Sequence, residues 1–163
     1  MREPRAGDFS ASAAMWAHRE VARFIGGSPS TPEQSWSRLL RYVGHWTAFG
    51  FGYWTVEELA SGAVIGEVGF GYHRREIAPA VDIPELGWVL HPSAHGKGYA
   101  TEAARAAIAW AQRHLTATQA IACIIAPENL ASIRVAEKCG FTLRCETSYK
   151  GLPTLLYERA LTR

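Results

Sequence analysis

Trp88-Val-Leu-His-Pro-Ser-Ala-His-Gly-Lys-Gly-Tyr-Ala-Thr-Glu102 joins a β-type run, stopped by His91-Pro92, to a helix that starts directly after a Gly-x-Gly turn. The first turn of a helix leaves four amide N–H groups outside its own ladder, and its dipole adds about +0.5 charge. Gly96 and Gly98 remove the side chains that would hold an anion away, so the turn reads as a backbone nest in which a diphosphate fits. It is not a Walker A loop, because Lys97 is not followed by Ser or Thr and the upstream glycine is missing. Gly96-x-Gly98-x-x-Thr101 is one residue from the dinucleotide fingerprint, but that pattern needs a βαβ unit and an acidic residue about 20 positions on. Here two helices and a hairpin come first, and the position near Gln119 is not acidic.

Working outward, Glu85-Leu-Gly-Trp-Val-Leu90 is the strand before the nest. Ala100, Ala103, Ala104, Ala107, Ile108, Ala111 and Leu115 recur at helical spacing and predict a helix over about 98–115. A buried strand follows from Gln119 to Ala126, then a helix opened by Pro127-Glu-Asn-Leu and closed at Cys139-Gly140. Strands over Thr142–Tyr149 and Thr154–Ala160 flank a Lys150-Gly151 turn. On the other side, a hairpin runs from Phe51 to Phe70 around Ser61-Gly62, and a loop spans His73 to Pro84. Thr31-Pro-Glu-Gln34 is a capping box that starts a helix running to about Trp46. Asp8 is read as the cap of a first helix running to about Phe24, with Phe9, Ala13, Trp16, Ala17 and Phe24 as its apolar stripe. The order ααββ, βαβα, ββ predicts an α+β or α/β sandwich on one mixed sheet.

The chain has 163 residues, 48% hydrophobic and 20% charged, which suits one globular domain over 1–163 and disfavours disorder. A formal charge of +2 gives too weak a field to argue for nucleic acid, though a small anion needs only a local site. Cys123, Cys139 and Cys145 are odd in number and form no C-x-x-C pair, so neither a disulfide framework nor a metal site is expected. They read as reduced and cytoplasmic. The charged start lacks the apolar core of a signal peptide, and no segment approaches the ~20 apolar residues of a membrane span.

Three landmarks in order resemble the GNAT acyltransferases, and in particular the branch of ribosomal-protein N-terminal alanine or serine acetyltransferases. They are Glu85-Leu-Gly-Trp-Val-Leu-His-Pro92, His95-Gly-Lys-Gly-Tyr-Ala-Thr-Glu-Ala103 and Asn129-Leu-Ala-Ser-Ile-Arg-Val-Ala-Glu-Lys-Cys-Gly-Phe141. The resemblance covers the chain from about Phe9 onward. It implies a mostly antiparallel sheet with flanking helices and splayed central strands, Glu85–Leu90 and Ile121–Ile125, between which acetyl-CoA threads as cosubstrate without a metal. The pantetheine arm would pair with the backbone of Trp88, Val89 and Leu90. The diphosphate would lie on the amides of His95, Gly96, Lys97, Gly98, Tyr99 and Ala100, with Thr101 in the same turn.

An alkylammonium has a pKa near ~10, so a base must take a proton before nitrogen attacks. Glu85 is the candidate, at a position where the resembling family often has a carboxylate; Glu67 and Glu146 are reserves. A main-chain amide near Val89 would steady the oxyanion. Asn129, Ser132 and Ala136 share one helix face. Many GNAT members carry a Tyr matching Ala136 as proton donor to the leaving thiolate, which a methyl group cannot replace. The resemblance assigns that role to Ser132, with Asn129 holding the cofactor arm or a water.

The acceptor is expected to be a small-molecule or peptide amine, with Phe51, Tyr53 and Tyr72 as candidate pocket residues. Monomer and homodimer remain open. Relatives usually begin with an edge strand of the form Thr-x-Arg-Leu-x-Leu-Arg, whereas Arg2-Glu-Pro-Arg5 stands here, so that strand is expected to be shortened or missing. Two other readings stay beside direct transfer in a ternary complex: acyl passage through Cys123 or Cys139, and a CoA-sensing module without catalysis.

Overall fold

A computed structural model describes residues 1–161. It contains α1 (Phe9–Trp16), α2 (Arg19–Ala22), α3 (Pro32–Phe49), β1 (Tyr53–Glu57), β2 (Val64–Gly71), β3 (Glu85–Leu90), α4 (Tyr99–His114), β4 (Ala120–Ile125), α5 (Leu130–Lys138), β5 (Thr142–Tyr149) and β6 (Leu152–Ala160). The six strands form one mixed sheet in the order β1-β2-β3-β4-β6-β5. β1–β2, β4–β6 and β5–β6 are antiparallel, and β3 pairs β4 in parallel with Glu85 opposite Ala122. The chain clusters into two compact units, one of Met1–Gly69 with Trp88–Ala103, the other of Phe70–Gly87 with the chain from Ala104 onward.

In the first unit, α3 starts where its capping box lies: Gln34 N–H donates to Thr31 Oγ1 at 3.2 Å and Thr31 N–H to Gln34 Oε1 at 2.9 Å. It ends at Phe49, three residues beyond the expected stop at Trp46, before Gly50, whose φ of 71° permits the left-handed C-cap. The expected helix from Asp8 to Phe24 is instead two helices broken at the extended His18, φ −79° and ψ 128°. Packing explains the break. Ser12, Met15 and Trp16 lie on one face of α1, whereas a continuous helix would place Val21 about 140° from Trp16. Turning the chain at His18 lets Val21 join Met15, Trp16 and Val89 in one buried cluster.

Asp8 does not cap α1; its carboxylate accepts from Arg2, at 2.6 and 2.8 Å, from the Arg5 amide at 2.8 Å and from Thr55 Oγ1 at 3.0 Å. The guanidinium of Arg2 holds the Asp8 carboxyl below the usual carboxylate range. At the position expected to carry a shortened or missing edge strand, Arg2 and Thr55 form an isolated antiparallel bridge, in which Arg2 N–H donates to Thr55 O and Thr55 N–H to Arg2 O.

In the second unit, Ala104, Ala107, Ile108 and Ala111 form the buried stripe of α4, and Ile121, Ala122 and Cys123 the buried run of β4. Ile108, Ile121 and Leu156 are essentially inaccessible, each contributing about 1.5–3 kcal/mol of transfer free energy. Lys150 and Gly151, at φ 53° and 76°, make the β5–β6 turn. No helix among the described residues is long and apolar enough to cross a membrane.

Candidate active site

The nest lies wholly in the first unit. After β3 a 3-10 turn over Pro92–Ala94 is held by Ala94 N–H to His91 O at 2.8 Å and His95 N–H to Pro92 O at 3.0 Å. The His95 amide is therefore engaged inside its own turn. Gly96 and Gly98 follow with φ of 74° and 86°, and an added Cβ at either would meet nothing within 4 Å. Gly96, Lys97 and Gly98 are exposed. The helix bond nearest the turn runs from Glu102 N–H to Gly98 O at 3.1 Å, so the amides of Tyr99 and Ala100 stand ahead of the α4 ladder. Open space, positive-φ glycines and a helix start together fit a diphosphate.

Two side chains brace this turn. His95 Nε2 lies 2.9 Å from Leu90 O; a carbonyl only accepts, so Nε2 carries the hydrogen and donates. Tyr99 donates its hydroxyl hydrogen to Glu58 Oε1 at 2.8 Å, and hydrogen bonds from Ser61 and Tyr99 hold Glu58 below its usual range. The burial of β3 breaks simple alternation: Glu85 and Leu86 are buried, Gly87 and Trp88 half-buried, Val89 and Leu90 buried. Next to it, a Cβ on Gly66 would lie 2.7 Å from Val89 O.

The same unit holds a buried carboxylate, Glu67, 4% exposed. It accepts from Ser12 Oγ at 2.5 Å and Trp16 Nε1 at 2.8 Å, and burial pushes its carboxyl above the usual range despite these donors and the charge of Arg38. Arg38 in turn lies over the Trp16 ring at 3.6 Å. Phe51 is buried and packs edge-on against His45 at 5.0 Å; Tyr53 stacks on Tyr42 at 4.4 Å.

The second unit holds Glu85, Asn129, Ser132 and the half-buried Tyr72. Glu85, 4% exposed, receives a two-pronged hydrogen bond from Arg75, Nε to Oε2 at 2.7 Å and Nη2 to Oε1 at 2.6 Å. His73 Nε2 stands 3.9 Å from Oε1. Burial pulls Arg75 down, but the hydrogen bonds and charge of Glu85 outweigh it and hold the guanidinium above its ordinary value. Sequence reasoning missed Arg75. The available signal was that Arg74 and Arg75 are the only Lys or Arg between Arg41 and Lys97.

Asn129 caps α5, its Oδ1 accepting from Ser132 N–H at 3.1 Å, which leaves its amide NH₂ as a donor. Ser132 is half-buried and Ala136 completely buried. Glu146, on β5, is exposed. Cys123 and Cys139 are buried and in no disulfide, and burial raises both thiols above the ordinary value.

The acetyltransferase (GNAT) domain family matches residues 1–142, so this chain belongs to that family. A protein of Bordetella pertussis assigned to the GNAT-family acetyltransferases shares 32% identity, with TM-score 0.86 over 98% of this chain and 93% of that one. The uncharacterized protein YkkB of Bacillus subtilis (strain 168) is 32% identical over 111 residues, 68% of this chain. That match spans 62% of YkkB, less than two thirds of the relative's length. At 23% identity the fold is shared with yncA of Salmonella typhimurium, TM-score 0.76, covering 99% and 93% of the two chains.

Proposed function

We propose that this chain transfers an acetyl group from acetyl-CoA to a primary amine by direct attack in a ternary complex. The observation that carries the reading is the open turn at Gly96 and Gly98 leading into the first amides of α4. Support for the cosubstrate comes from the fold shared with yncA, a structure solved with its cofactor acetyl-CoA. Trp88, Val89, Leu90, Gly96, Lys97, Gly98, Tyr99, Ala100 and Thr101 would hold it through main-chain groups, with His95 fixing the Leu90 carbonyl and Asn129 offering its amide NH₂. Bound acetyl-CoA would supply an acetyl thioester activated toward amines.

The chain's own part is proton handling and orientation. Glu85, fixed in place by Arg75, takes the proton of the incoming ammonium directly or through a water. Ser132 supplies the hydroxyl hydrogen for the departing thiolate, in the role that Ala136 cannot fill. The buried thiols of Cys123 and Cys139 weigh against passage through an acyl-cysteine, because the thiolate is the nucleophile and burial suppresses it. The three free cysteines suit a reducing, cytoplasmic setting.

For the acceptor we propose a protein N-terminus or a small-molecule amine, with Phe51, Tyr53 and Tyr72 as contacts. Ser132 in place of the tyrosine favours the ribosomal-protein branch, and the fold of a ribosomal-protein-S5-alanine acetyltransferase of Vibrio fischeri is similar at TM-score 0.75 and 21% identity. The same TM-score is reached by a spermidine N-acetyltransferase of Vibrio cholerae, solved with CoA and spermine, at 18% identity. Fold alone thus spans both acceptor classes. Calorimetry with acetyl-CoA, NAD and ATP, followed by mass spectrometry of peptides, polyamines and aminoglycosides incubated with labelled acetyl-CoA, tests the reading. Acetyl-CoA binding with an acetylated amine supports it. Binding without any product favours the sensing module suggested by Ala136, and no acetyl-CoA binding overturns both.

A further inference from the structure

Glu85 is a buried carboxylate, opposite Ala122 on β4, and a bare anion there would attract the most highly charged cation able to reach it. Arg75 removes that attraction. Its guanidinium occupies one lone-pair site on each oxygen, at 2.6 and 2.7 Å, and brings the local charge of the pair to zero. The guanidinium itself is anchored. It packs over the Tyr149 ring at 4.9 Å, and the loop that bears it is fastened to β5 by a backbone bridge between Ile77 and Tyr149 and by Thr147 Oγ1 donating to Ala78 O. An ammonium cannot take Arg75's place on Glu85 without breaking a two-pronged ion pair and a cation–π contact together. Of the nearby side chains, His73 adds no anion, and Arg74 faces Asp82 at 3.8 Å in an exposed pair.

We propose that Arg75 is a specificity-determining residue, which neutralises the charge of Glu85 and so rejects polycationic acceptors. The acceptor class it selects is a primary amine on a neutral or anionic body, such as a peptide N-terminus without nearby cations, rather than a polyamine. This rests on the reading of Glu85 as the group that meets the acceptor.

Spermidine binding is measured by calorimetry at low salt on CoA-saturated protein, for the wild type, Arg75→Gln, Arg75→Met, Arg75→Lys and the double variant Arg75→Gln/Glu85→Gln. Arg75→Gln keeps a hydrogen-bond donor toward Glu85 and stands in if Arg75→Met fails to fold. The charge-removing variants are expected to gain at least about tenfold in spermidine affinity, Arg75→Lys to gain little, and the double variant to lose the gain. No gain on removing the charge overturns the proposal, as does a gain that persists without the Glu85 charge. Turnover of Glu85→Gln with a neutral alanyl peptide separates the two readings. Retained turnover withdraws Glu85 as base and the proposal with it, whereas lost turnover with unchanged spermidine affinity in the Arg75 variants withdraws the proposal alone.

Discussion

Tyr99, the first residue of α4, donates its hydroxyl hydrogen to Glu58, 41 residues earlier and just past the end of β1, over 2.8 Å. The bond ties the helix start that bears the nest to the β1–β2 hairpin, so the hairpin sets the direction in which the first amides of α4 point. Tyr99→Phe keeps the ring and removes the tie. It is expected to weaken acetyl-CoA binding by no more than about tenfold, read by calorimetry, while the melting temperature stays close to that of the wild type. A loss of stability equal to the loss of affinity would make the bond a fold contact and not a site contact.

Asn129 and Ser132 separate by their chemistry. Ser132→Ala retains the backbone N–H that Asn129 Oδ1 accepts, so α5 keeps its cap. Turnover is expected to fall about tenfold to a hundredfold with acetyl-CoA affinity unchanged. Asn129→Ala removes the cap and is expected to cost about 1 kcal/mol of stability. Asn129→Asp restores the cap acceptor but not the amide donor, and should recover stability without recovering cofactor affinity. Equal turnover of Ser132→Ala and the wild type would withdraw the acid role.

Two carboxylates give the first unit opposite pH responses. Asp8 is lowered by Arg2, so its stabilisation is full above the unfolded value and is lost as pH falls through the lower folded one. Glu67 is raised by burial. The folded state then binds the extra proton, and stability declines as pH rises from the ordinary glutamate value through the raised one. Thermal unfolding across acidic pH should show Asp8→Asn losing the acid-side fall and Glu67→Gln losing the decline above it. Parallel curves for wild type and both variants would contradict these assignments.

The buried thiols allow a simple exclusion. Cys139→Ala and Cys123→Ala are each expected to retain turnover, with a stability cost of about 1–2 kcal/mol for the cavity at Cys123. Loss of turnover in either, with the fold intact by circular dichroism, would return an acyl-cysteine route to consideration.

What the sequence revealed follows from how local each signal is. The start of α3 was legible because Thr31, Pro32 and Gln34 settle it within four residues, and β3 was bounded by Pro84 and Pro92. The break at His18 was hidden, since it answers to Val21 reaching Met15 and Val89, and Val89 is 68 residues away from Val21. Asp8 looked like a cap because Asp before an apolar run usually is one, but a stronger local partner, Arg2, takes its carboxylate. The tight turn into α4 was legible in Gly96 and Gly98, whereas the engagement of the His95 amide by Pro92 depends on a 3-10 turn that no residue pattern announces. Arg75 on Glu85 needed the path of a loop pinned to β5, a distant contact with no periodicity.

Acetyl-CoA binding to Gly98→Asp, with Gly98→Ala as its partner, tests the nest most directly. Both variants put a Cβ on a φ of 86°, at a cost of about 1–2 kcal/mol, but into open space, so backbone strain is shared and only the carboxylate differs. Calorimetry is expected to give an affinity for Gly98→Asp at least about tenfold weaker than for Gly98→Ala, because a fixed negative charge faces the diphosphate. Equal affinities for the two folded variants would put the diphosphate elsewhere and contradict the assignment.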